Sequence, residues 1–157
     1  MSAQFERWWA DYEEHHRAEG NQWCHVVGIP LILAGLLGLL SLELFRVGGL
    51  RIEVALLVVV ATGVAYLWLE PRLGGAMFGV SLVIYLVARL LDWRLALALF
   101  VVGWIFQLVG HGVYEKRSPA FLRNLAHLLI GPLWVLHHLT GMRPAAARAG
   151  AHQPPEA

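Results

Sequence analysis

Five long apolar segments, at residues 26–44, 52–69, 74–91, 95–114 and 121–139, constrain this chain more than any motif in it. Each has about 18–20 residues, near the ~20 that a helix rising 1.5 Å per residue needs to cross the hydrocarbon of a bilayer. Inside lipid the backbone must satisfy its own hydrogen bonds, so such segments are read as helices. A soluble bundle would need polar faces, and the second and fourth segments have none. Composition agrees: of 157 residues 58% are hydrophobic and 15% charged, against about 25% charged in soluble domains. The fold class expected is therefore all-α, a polytopic transmembrane helix bundle of about five apolar segments.

The segment before the first run is different in kind. Over residues 5–16, Phe5, Trp8, Trp9 and Tyr12 recur at i, i+3, i+4 and i+7 with acids on the other side, the pattern of an amphipathic helix. Aromatic on one face and charged on the other, it suits the headgroup layer, and Gly20 ends it. No cleavable signal is visible in the polar, acidic first 25 residues, so the first apolar run is expected to open the membrane domain. One membrane-embedded domain is expected over 1–142, and a disordered Ala/Pro-rich tail over 143–157. The links carry the punctuation, with Glu70-Pro71-Arg72 between the second and third segments and Asp92-Trp93-Arg94 capping the turn before the fourth. Basic residues divide almost evenly between the two ends of the spans, which leaves sidedness open. The expected place is a bacterial inner (cytoplasmic) membrane, crossed several times. A net charge of +1 without a basic run excludes nucleic acid as a partner. The single cysteine, Cys24, excludes an intramolecular disulfide and a CxxC metal site.

Crossing the membrane five times sorts the eight histidines. His15, His16 and His25 precede or open the first span, His111 and Glu115 close the fourth, and His127 lies near the start of the fifth. All fall on one membrane face; His137 and His138 are expected at the opposite face. Ionisable groups at membrane depth are costly unless paired, which makes such a gathering a functional hypothesis. Imidazole and carboxylate ligands suit Fe(II), Mn(II) or Zn(II), and a His-plus-carboxylate set with open positions is a form used by non-haem Fe(II) oxygenases. Other readings stand beside this one. His15 or His16 could be an interfacial residue, His127 a packing residue, and Glu115 an ion-pair partner of Lys116 and Arg117.

Two blocks carry a resemblance. His16-x4-Asn21-x3-His25 followed by Val-Val-Gly-Ile-Pro to Pro30, and the run Gly103-Trp-Ile-Phe-Gln-Leu-Val-Gly-His-Gly-Val-Tyr-Glu-Lys-Arg-Ser-Pro-Ala120, resemble the signatures of the yeast-type 2-hydroxy fatty acid dioxygenase family. These are small polytopic membrane proteins, formerly known only as a domain of unknown function. The likeness spans about residues 5–140. It implies Fe(II) as cofactor, and 2-hydroxy fatty acid and O2 as substrates. The reaction implied is α-oxidation, in which the bond between carbons 1 and 2 is cleaved and the chain shortened by one carbon. It implies His16, His25 and His111 as metal ligands, with His127 and Glu115 as further carry-overs. Asn21 is then expected to orient a histidine or bond the substrate hydroxyl, and Arg117, Lys116 or Arg72 to steer the carboxylate. Membrane lipid surrounds such a protein, and a homo-oligomer is compatible with it. The rival readings are a haem-binding electron carrier, another non-enzymatic metal-binding membrane protein, and a Zn(II) hydrolase.

Overall fold

A computed structural model describes residues 3–116, 124–142 and 144. The bundle is built of α1 (Ala3–Glu14), α2 (Glu19–Leu39), α3 (Val54–Leu69), α4 (Pro71–Ala88), α5 (Trp93–Val109) and α6 (Ala126–Thr140). A π-helical turn over Gly110–Glu115 extends α5, and a hairpin of β1 (Glu43–Val47) and β2 (Leu50–Glu53) joins α2 to α3. The chain is thus an all-α polytopic transmembrane bundle. Among the described residues, three helices are long and apolar enough to span: α2 with 21 residues, α4 with 18, and α5 with its π turn, 23 residues in all. The 16-residue α3 is apolar but shorter and packs along α4. Much of the outer surface is apolar, with Trp68, Val83, Val87, Leu97 and Ile105 all exposed. Lipid is the medium that such a surface requires.

Local chemistry sets the boundaries. Pro71 occupies the first turn of α4, where its missing N–H costs nothing, and the Glu70 carboxylate accepts the Leu73 N–H as the cap. Asp92 caps α5 in the same way, accepting from Arg94 N at 2.9 Å. The hairpin lies within a stretch whose start the sequence assigns to the first apolar segment. Gly48 and Gly49 have φ of +52° and +84°, and a two-residue hairpin turn needs positive φ at both central positions.

The tightest helix pair is α2 against α5, because glycine lines the seam. A Cβ placed on Gly35 would lie 2.5 Å from Phe100 N, and one on Gly103 would lie 2.8 Å from Gly28 O. Small residues let two backbones approach in a membrane bundle. This seam joins the start of α2 to the end of α5.

Within its described residues, 124–139, the fifth apolar segment does not run as a fifth crossing. Its described helix, α6, has 15 residues, and Ile130 through Val135 are consecutively buried. The middle of this helix is enclosed by protein on all sides, while Leu128 and Leu139 toward its ends are exposed. It packs against α1, α2 and α4. The aromatic face of α1 covers it, with Phe5, Trp9 and Tyr12 in one core cluster with Ile130, Leu133 and Trp134. His137 and His138 therefore do not reach an opposite face. His137 stacks edge-on against Trp9 with ring centres 5.6 Å apart, and His138 lies 6.5 Å from the ring of Trp23 at the start of α2. The expected tail falls outside the described residues, apart from residue 144.

Candidate metal centre

Three elements deliver one histidine each. His16 sits in the link after α1, His25 in the second turn of α2, and His111 in the π turn that ends α5. Their side chains are 2–3% exposed, and one ligand nitrogen from each lies within 4.8 Å of the others. Ring centres are 4.4 Å apart for His16–His25, 5.0 Å for His16–His111 and 4.9 Å for His25–His111.

The tautomers follow from the partners. His16 Nδ1 lies 2.6 Å from the Tyr12 carbonyl oxygen, and His25 Nδ1 lies 2.9 Å from that of Asn21. A carbonyl only accepts, so each Nδ1 carries the hydrogen and each Nε2 presents a lone pair. Those two Nε2 atoms face each other at 3.1 Å. Two acceptors at that distance repel unless a cation lies with them. A shared proton is disfavoured, because burial and then the neighbouring His25 hold the His16 imidazole down to about 2. A divalent ion fits instead: nitrogens bound at about 2.0–2.1 Å to one ion fall roughly 3 Å apart. Backbone carbonyls on the far ring nitrogens are the usual means of orienting such ligands.

Glu115 is not in this group. Its Oε1 accepts the Ala18 N–H at 2.7 Å and Asn21 Nδ2 at 3.3 Å. Asn21 is fully buried, and its carbonyl holds His25. A Cβ on Gly110 would lie 2.4 Å from Asn21 Oδ1, so the residue before His111 leaves room for Asn21. Glu115 and Asn21 thus brace the start of α2 against the end of α5. Neither lines the cavity beside the histidines. Lys116 and Arg72 are exposed and stand off it as well. Arg117 lies outside the described residues.

That cavity has a volume of ≈ 80 Å³. Its polar wall is Tyr12, His16, His25, His111, His127 and Gln107, and its apolar wall includes Ile29, Ile32, Leu33, Trp104 and Leu128. Leu128 is 48% exposed on the outer surface, so the cavity lies one side chain from the lipid-facing side. His127 lines the cavity but is set apart from the three-nitrogen group. Its Nε2 is 2.8 Å from Asp11 Oδ2, and its Nδ1 is buried without a partner. The site also takes in Asp11, Tyr12, Trp104 and Gln107, which the sequence does not single out as site residues. Tyr12 carried a signal in its place on the aromatic face of α1, and Trp104 and Gln107 lie within the second block of resemblance. His16 also borders a second, polar hollow of ≈ 390 Å³, which it shares with Glu13, Gln22, His137 and His138.

A membrane helix bundle enclosing a buried three-histidine centre beside an apolar-walled cavity defines the class of this protein. The family model described as 2-hydroxy-palmitic acid dioxygenase Mpo1-like matches residues 2–143, and the chain belongs to that family. It is 32% identical over 132 residues to the 2-hydroxy-palmitic acid dioxygenase MPO1 of Saccharomyces cerevisiae, covering 80% of this chain and 73% of the yeast protein. No solved structure matches the chain. The apolar helices support a membrane protein, and a yeast relative does not support the bacterial inner membrane expected from the sequence.

Proposed function

We propose that the chain is a non-haem Fe(II) dioxygenase that shortens 2-hydroxy fatty acids by one carbon. His16, His25 and His111 would hold the iron. The observation that carries this reading is the pair of buried Nε2 lone pairs facing each other at 3.1 Å, which no hydrogen bond between neutral rings can satisfy. Three neutral ligands leave an iron(II) its full positive charge and several open positions, which suits an anionic substrate and O2. When bound, the ferrous ion supplies the electrons that activate O2 for cleavage between carbons 1 and 2.

The protein's own groups do the rest. The Tyr12 and Asn21 carbonyls fix which imidazole nitrogens point inward. Asn21 and Glu115 act as positioning residues for the His25 end of the site. The ≈ 80 Å³ cavity suits a carboxylate head and its first carbons. It falls well short of the ~300 Å³ at which pockets begin to enclose a drug-sized ligand, and this weighs against haem. The acyl tail would run past Leu128 and Leu33 along the apolar surface, with membrane lipid as the medium that delivers it. Lys116, Arg72 and Arg117 are read as charges that draw the carboxylate to this end of the bundle.

The test is to load the purified chain with Fe(II) anaerobically, then add O2 and 2-hydroxyhexadecanoate. A product of fifteen carbons, formed in proportion to bound iron, is expected. Iron bound and no shortened product would overturn the oxygenase reading, and a shortened product formed with Zn(II) in place of iron and without O2 uptake would replace it with a non-oxidative cleavage.

A further inference from the structure

His127 is the fourth buried histidine on the cavity wall, and its chemistry differs from that of the other three. A carboxylate only accepts, so the 2.8 Å contact to Asp11 Oδ2 puts the hydrogen of a neutral His127 on Nε2. The lone pair is then on Nδ1, which is buried and has no partner, and the residue is only 5% exposed. On the same wall the Tyr12 hydroxyl is also buried and unpartnered. The two rings are 5.5 Å apart and set edge to face. Native interiors leave few polar atoms unsatisfied. One orphaned acceptor and one orphaned donor on a single small cavity describe a ligand that both gives and takes a hydrogen bond.

We propose that His127 Nδ1 accepts the hydrogen of the substrate's 2-hydroxyl while the Tyr12 hydroxyl donates to a ligand oxygen, so that the Asp11–His127 pair selects 2-hydroxy acids over unsubstituted acids. This rests on the reading that the cavity takes a 2-hydroxy fatty acid. Asp11 is the positioning residue: its carboxylate holds the tautomer that leaves Nδ1 free to accept. A site built to bond a substrate hydroxyl rejects the analogue lacking it, because its own buried groups are then left unpaired. Tyr12 stays a donor under ordinary conditions, since burial pushes its phenol well above its usual value.

The test measures equilibrium binding of 2-hydroxyhexadecanoate and of hexadecanoate to the Fe(II)-loaded chain in lipid nanodiscs under anaerobic conditions, with iron content determined on each sample. The unaltered chain is compared with His127→Phe, with Asp11→Asn and with His127→Asn, whose amide oxygen takes roughly the place of Nδ1. The expected result is a preference for the 2-hydroxy acid that drops about tenfold in His127→Phe. Asp11→Asn lowers it too, and His127→Asn restores part of it. Iron content stays unchanged throughout, and hexadecanoate affinity does not fall in His127→Phe, which removes the unpaired nitrogen. An undiminished preference in all three variants would overturn the assignment. So would loss of iron from both His127 variants with iron retained in Asp11→Asn, which would make His127 a fourth ligand. Absence of any preference in the unaltered chain would overturn the substrate reading itself, and this inference with it.

Discussion

A carbonyl oxygen on Nδ1 orients both His16 and His25, and the facing of their Nε2 atoms is what separates them from the other histidines. The carbonyl leaves Nε2 as the inward atom in both rings, and it does so from within the same short stretches of chain, four residues back in each case. Replacing His16, His25 or His111 singly by Ala is expected to remove bound iron and lower product formation by at least about a hundredfold; metal analysis alongside turnover checks it. The His16 imidazole also fixes a pH dependence. Its folded value lies far below the usual 6.5, at about 2, so the unfolded chain binds the extra proton between those values. Stability of the metal-free chain is therefore full above about pH 6.5 and falls as pH drops below it. Thermal unfolding at pH 7.5 and pH 5.5 checks this, and His16→Gln should flatten the difference.

Helix contacts decide whether these residues meet. The α2–α5 seam admits no side chain at Gly35 or Gly103, where a Cβ would sit within 2.5–2.8 Å of backbone atoms of the other helix. Gly35→Leu is expected to force the pair apart at a cost of about 1–3 kcal/mol or more, weakening iron binding although Gly35 is nearly three turns from His25. Gly79→Leu, where a Cβ meets nothing within 4 Å, should leave iron binding intact. Glu115→Ala unties Ala18 and Asn21 and is expected to lower iron affinity about 10–100-fold, as loss of an orienting partner does; anaerobic titration checks both. Much of this level is readable in the sequence. Length and hydropathy mark α2, α4 and α5, the aromatic spacing marks α1, and Glu70-Pro71 and Asp92 mark helix starts. The same signals misplace α6, because a segment apolar all round looks alike whether lipid or protein surrounds it. That single ambiguity sends His137 and His138 to the wrong face. Asp11 is missed for a related reason: its partner, His127, is 116 residues away, and only packing of α1 on α6 brings them together.

At the scale of the whole molecule, the bundle divides by solvent. Apolar outer faces of α3, α4 and α5 require lipid, while α1 and α6 fold onto each other and close the site from one side. The cavity beside the histidines thus has polar atoms on its inner wall and Leu128 at its outer edge, an arrangement suited to a substrate whose head is anionic and whose tail belongs in a bilayer. The family to which the chain belongs is consistent with that substrate class. Iron K-edge X-ray absorption on the anaerobically Fe(II)-loaded chain reads the ligand set directly. Nitrogen scattering from three imidazoles at about 2.0–2.2 Å is predicted, with no protein-bound iron left to give it in His111→Ala. A spectrum dominated by sulfur, or by oxygen without imidazole scattering, would contradict it.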